Sequence, residues 1–145
     1  MTENDFSSYN FKTRIRIRFS DIDAFGHVNN ALYLTYFEIA RTSYWKDVIK
    51  WDWNEAGIII ARAEVNFLAP IRMNDNVHAY VRTAKVGNKS FDLEYALVKN
   101  SGNGEILCTK GSTTCVAYDY SNQQTIPIPE IYRDKMQQFE FIDKG

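Results

Sequence analysis

Residues 21–50 read DIDAFGHVNNALYLTYFEIARTSYWKDVIK, and the change of pattern inside this stretch sets the architecture of the chain. Its first ten residues hold the turn-forming Asp21, Asp23, Gly26, Asn29 and Asn30. From about Asn30 to Lys50 the pattern is helical: Tyr33, Phe37, Ala40, Tyr44 and Val48 share one stripe, which Leu32, Tyr36 and Ile39 widen. Leu34, Trp45 and Ile49 lie outside that stripe. About twenty helical residues span roughly 30 Å. A helix apolar over so much of its circumference is expected to be the central core helix, wrapped by other elements.

Upstream, Thr13 to Phe19 alternates, with Ile15, Ile17 and Phe19 on one face and Arg14, Arg16 and Arg18 on the other, the period of a half-buried strand. Downstream, a connection over Trp51 to Gly57 leads to a strand over Ile58 to Leu68. There Ala61, Ala63, Val65 and Phe67 alternate with Arg62, Glu64 and Asn66, and Pro70 ends the run. Met73 to Asn76 makes a turn, Val77 to Val86 a strand, and Gly87-Asn88 a hairpin connection. The next strand points Phe91, Leu93, Tyr95 and Leu97 inward. Asn100 to Gly104 is a strong turn signal, a long strand runs from Ile106 to about Tyr118, and Pro127 and Pro129 introduce a short helix near Glu130 to Phe139.

Short connections favour antiparallel neighbours. The expected architecture is therefore α+β: four late strands in a meander that curls around the long helix and accepts the first strand, giving an antiparallel sheet of about five strands with a short C-terminal helix. The 145 residues suit a single domain over 1–145, with 1–11 expected to be a flexible N-terminal segment.

Composition narrows the function classes. Hydrophobic residues at 45% and charged residues at 24% indicate a globular chain. A net charge of −1 gives no sign of the basic surface that nucleic-acid binding needs. Nine Phe, nine Tyr and three Trp point to an aromatic-rich core, interface or apolar pocket. The N-terminus MTENDFSSYN has no basic start or apolar run, and no segment holds eighteen uninterrupted apolar residues, so a cytoplasmic protein without a membrane partner is expected. Cys108 and Cys115, seven residues apart on one strand, are expected on opposite faces as buried free thiols, neither paired nor part of a metal motif.

The turn 21–30 carries the chemistry. It brings a carboxylate, Asp23, close to backbone N–H groups at a helix start, which lack intrahelical partners and carry the positive end of the helix dipole. That combination suits attack on a carbonyl. The same residue types also serve turns and N-caps, so Asp21, Asp23, Asn29 and Asn30 are also readable as local backbone chemistry. There is no G-x-S-x-G elbow, no G-x-G-x-x-G and no P-loop, and His27 and His78 lack companions at zinc spacing.

Asp23 with Gly26 three residues on, Tyr33 and the Tyr36-Phe37-Glu38-x-x-Arg41 run, and Val65-x-Phe67-x-x-Pro70 followed by Asp75 together resemble the hotdog-fold thioesterases. The likeness is to the hydroxybenzoyl-CoA and acyl-CoA thioesterase branch and covers roughly residues 13 to 120. It implies hydrolysis of an acyl-CoA thioester, with Asp23 as the carboxylate that attacks the carbonyl or activates water. The backbone N–H of Asn30 is implied as the group that polarises the carbonyl, and Phe25 and Gly26 are placed beside substrate. Lys89 and Ser90 resemble the segment that meets the pantetheine or nucleotide of CoA; a solvated hairpin lysine is the alternative, and Arg62, Arg72 and Lys85 are further candidates for phosphate. Tyr33, Phe37 and Phe67 are read as acyl-pocket lining or core, Glu38 and Arg41 as a helix ion pair. His27 is read as a proton carrier or a packed structural histidine.

The run His27-Val28-Asn29-Asn30 is similar to the HVNN run of plant acyl-carrier-protein thioesterases, although Phe25 stands where that family has Asn. An acyl carrier protein therefore stays open as an alternative substrate carrier, and a non-catalytic acyl-thioester-binding protein as an alternative function. No metal or redox cofactor is implied, CoA entering only as part of the substrate. The resemblance implies a homodimer or homotetramer, whose pairing would also cover an exposed sheet edge.

Overall fold

The structure, a computed structural model, describes residues 6–142. The elements are β1 (Phe11–Ile15), α1 (Leu32–Tyr44), β2 (Gly57–Phe67), β3 (Asn76–Val86), β4 (Ser90–Ser101), β5 (Gly104–Asp119), a two-residue β6 (Gln124–Thr125) and α2 (Glu130–Glu140). A 3-10 turn at Phe19–Asp21 precedes α1, and a π-helical turn at Trp45–Ile49 extends it. Lys50 ends that turn in the left-handed region, φ 59°.

The strands form one antiparallel sheet in the order β1-β3-β4-β5-β2, with β6 on β5. Only β3, β4 and β5 make the expected meander. β2 lies beyond β5, so the segment from Leu68 to Asp75 crosses from one side of the sheet to the other. The helix buries Tyr33, Tyr36, Phe37, Ala40 and Tyr44 in one core with Val77, Ala79 and Val81 of β3 and Leu93, Tyr95 and Leu97 of β4. The rest of that core includes Ile15, Ile71, Phe91, Met136 and the tryptophans Trp45 and Trp51.

The first strand stops at Ile15, short of the expected Phe19. Ile17 stays buried, but Phe19 is 85% exposed because the chain has left the sheet for the 3-10 turn. Along β2, Ala61, Ala63 and Phe67 are exposed rather than inward, and only Val65 of that alternating set is half-buried, since an edge strand receives little cover from α1. The helix is not wrapped all round: Ile39, placed in the stripe by its spacing, is 43% exposed together with Leu34. The segment before β1 is tied down rather than frayed. Phe6 is buried and stacks on Tyr80 with ring centroids 4.7 Å apart, and Asn10 donates to the Phe139 carbonyl at 2.9 Å. Residues 1–5 lie outside the described residues.

The thiols are free and buried, but not on opposite faces. The β4–β5 register skips Cys108 between the Leu97–Thr109 and Val98–Leu107 pairs, and this bulge turns its side chain into the same core as Cys115. Among the described residues no helix is long and apolar enough to cross a membrane.

Candidate active site

The turn between the first strand and α1 is built from its own polar groups. Arg18 donates its backbone N–H to Asp21 Oδ2 at 3.0 Å and its Nε–H to Oδ1 at 3.0 Å. Tyr36, reaching across from α1, donates its hydroxyl to Asp21 Oδ2 at 2.7 Å. Burial alone would raise the Asp21 pKa; the hydrogen bonds from Arg18 and Tyr36 outweigh it and hold the carboxyl below its usual range. The Tyr36 hydroxyl is pushed the other way, by burial first and then by Asp21.

Beyond Asp21, Ile22 and Val28 pair as a single antiparallel bridge, closing a tight loop over Asp23 to His27. Asp23 donates its N–H to the His27 carbonyl at 2.9 Å and accepts the Gly26 N–H on its own carbonyl at 3.1 Å. Gly26 has φ +88°, a conformation that side-chain-bearing residues rarely adopt. The Asp23 side chain accepts the Phe25 N–H on Oδ1 at 2.8 Å, and the same oxygen lies 3.9 Å from His27 Nδ1. Phe25 is 82% exposed, its ring stacked beside the His27 imidazole.

The helix start follows. Asn29 accepts the Ala31 N–H on its side chain at 2.9 Å and the Leu32 N–H on its carbonyl at 2.9 Å, while its own N–H goes to the Asp21 carbonyl. The Asn29 side chain thus closes a turn just before the helix, as its residue type suggests. The Asn30 N–H has no acceptor among the described residues. Asn30 lines an open cleft of about 220 Å³ with His27, Tyr33, Phe67 and the segment Leu68 to Pro70. Tyr33 meets Phe67 edge-on at 5.0 Å, and the Leu68 and Ala69 N–H groups are both held by the Cys108 carbonyl.

Of the residues singled out from sequence, His27, Asn30, Tyr33 and Phe67 meet in this cleft, and Asp23, Phe25 and Gly26 form the adjoining loop. Lys89 and Ser90 stand apart. Ser90 pairs with Val116, whereas Phe67 pairs with Thr109 on the same strand. Seven residues of strand separate the two places by about 23 Å. Lys89 reaches Thr125 at 3.4 Å. Phe37 is fully buried in the core and lies outside the cleft lining. Asp75 anchors a turn, accepting the Arg72 N–H at 2.7 Å. Glu38 and Arg41 form the i,i+3 ion pair, at 3.6 Å. Among the described residues no group of three His, Cys, Asp or Glu side chains is placed to hold a metal ion.

Sequence reasoning missed two participants. Asp21 reads as a generic turn residue, and its burial follows only from Tyr36 arriving over it. The Cys108 carbonyl fixes one cleft wall because of the bulge, which no residue pattern announces.

A curled antiparallel sheet against one long helix is the arrangement of the hotdog thioesterases, and the chain belongs to the thioesterase-like superfamily, whose sequence profile matches residues 17–137. More particularly, it is similar to a Thermus thermophilus thioesterase solved in complex with coenzyme A and zinc: 34% identity, TM-score 0.81, covering 93% of this chain and 97% of that one. The long-chain acyl-CoA thioesterase FadM of Escherichia coli is 23% identical over 130 residues, 88% of this chain and 97% of FadM. YsmA of Bacillus subtilis, an uncharacterized protein, is 32% identical over 90 residues, 61% of each chain. A 4-hydroxybenzoyl-CoA thioesterase variant complexed with 4-hydroxybenzoyl-CoA shares the fold, with TM-score 0.80 at 18% identity over 87% of this chain and 97% of that one.

Proposed function

We propose that the chain hydrolyses an acyl-CoA thioester to a carboxylic acid and CoA. The observation that carries this reading is the Asn30 N–H, left without an acceptor among the described residues at a helix start, on a residue that lines a cleft beside the Asp23 loop. The thioester carbonyl oxygen accepts that N–H. Asp23 either attacks the carbonyl carbon, so that the C–S bond breaks and water then hydrolyses the resulting Asp23 anhydride to the acid, or takes a proton from an attacking water and the C–S bond breaks. In both cases the proton lost by water goes to the departing thiolate. One preorganised donor to the developing oxyanion is worth on the order of 3 kcal/mol in other hydrolases. The likeness to FadM, an acyl-CoA thioesterase, and to the Thermus thioesterase complexed with coenzyme A supports CoA as the carrier. The reaction as proposed uses no metal or redox cofactor.

The working unit in this reading is a homo-oligomer. β2 is a long edge strand with exposed Ala61, Ala63 and Phe67, and one chain leaves Lys89 and Ser90 far from the cleft. A second chain paired along β2 supplies the strands that meet CoA and covers the edge. The test is thiol release from short, long and aryl acyl-CoAs. Saturable hydrolysis is expected; binding of the esters without thiol release would favour a non-catalytic binder, and hydrolysis of acyl carrier protein esters alone would change the carrier.

A further inference from the structure

Asp21 holds the 21–30 loop from two sides. Its carboxylate accepts Tyr36 from α1 on Oδ2 at 2.7 Å and Arg18 Nε on Oδ1 at 3.0 Å, and Arg18 Nη2 lies 2.9 Å from Oδ1 as an ion pair. Its main-chain carbonyl accepts the N–H of Asn29, the residue immediately before Asn30, at 2.9 Å. Tyr36 in turn packs edge-on against Tyr33, which lines the cleft. Asp21 is 1% exposed, so it meets no substrate.

We propose that Asp21 is a positioning residue: its carboxylate ties the 21–30 loop to α1 through Tyr36 and Arg18, and thereby sets where the Asn30 N–H and the Asp23 carboxylate stand relative to each other. Three hydrogen-bond donors converge on two oxygens, with Arg18 Nη2 in ion-pair contact beside them. An amide at this position has one acceptor oxygen and turns two hydrogens toward donors, so it satisfies one side and repels the other. A buried ion-paired carboxylate does not itself demand such a role. What points to it is that one residue bonds the helix with its side chain and the approach to Asn30 with its main chain.

The kinetic arm rests on the thioesterase reading; the exchange arm does not. Tyr36→Phe removes the bond to the helix while keeping the ring, and Asp21→Asn breaks the clamp itself. We expect Tyr36→Phe to lower kcat about tenfold with KM within about twofold, the signature of an interaction realised in the transition state. Amide exchange of Asp23, Val28 and Asn29 is expected to accelerate about tenfold in both variants while β3 to β5 stay protected. A fall in Tm with kcat unchanged would overturn the positioning role and leave a structural one. Unchanged exchange in the loop would overturn it whether or not the wild type hydrolyses thioesters.

Discussion

The Phe37 ring occupies the space that a β-carbon on Gly111 would need, so α1 lies against β5 at the closest approach a glycine permits. The same ring stacks on Tyr95 with centroids 4.3 Å apart. The Glu64 carbonyl borders the same point, leaving the backbone little room to yield. Gly111→Ala is therefore expected to destabilise the fold by about 1–3 kcal/mol, as overpacking does elsewhere. Urea unfolding read by far-UV circular dichroism measures it, and an unchanged midpoint would mean that helix and sheet move apart freely.

Stability should depend on pH through two carboxyls of opposite sign. Asp21 titrates below its usual 3.8, so its contribution is present above that value and is lost as pH falls through the folded pKa. Glu140 accepts Tyr44 at 2.6 Å and the Thr83 N–H at 2.7 Å, yet burial raises its pKa above 4.5 by more than these bonds lower it. Its contribution is present below 4.5 and is lost as pH rises through the folded pKa. Wild type should therefore lose stability relative to Asp21→Asn as pH falls, and relative to Glu140→Gln as pH rises. Unfolding free energies of the three proteins across the acid range check both signs.

Phe67 is 49% exposed and meets Tyr33 at the cleft wall. Phe67→Ala should leave the midpoint of unfolding nearly unchanged and raise KM for acyl-CoA about tenfold, with kcat changed less, because it removes binding shared by ground and transition states. An unchanged KM would place the acyl group elsewhere.

The β2 edge should hold a second copy. Light scattering is expected to give at least twice the chain mass, and Ala63→Lys, which places a charge on that edge, should shift the mass toward the monomer and lower activity in step. Full activity from a monomeric variant would contradict a two-chain site.

Much of the fold was legible in the residues. The 3.6 period from Tyr33 to Tyr44 and the alternation of Phe91, Leu93, Tyr95 and Leu97 report burial directly, and both match the structure. The position of β2 was not legible, because the crossing segment from Leu68 to Asp75 is short and its length fits a hairpin as well as a crossing. The Cys108 bulge was not legible either, since one extra residue reverses side-chain parity without altering composition. In the candidate site, Asp23 and Gly26 stood out in the turn before the helix, and the Asn30 N–H was implied by the family resemblance. Asp21 did not, because its partners Arg18 and Tyr36 come together only in the folded chain.

The most direct measurement is thiol release by wild type and Asp23→Asn side by side on the same acyl-CoA, with circular dichroism to confirm that both fold. Loss of a general base or nucleophile is expected to lower turnover by about two orders of magnitude or more. Near-normal turnover by a well-folded Asp23→Asn would remove Asp23 from the chemistry and contradict the proposed mechanism.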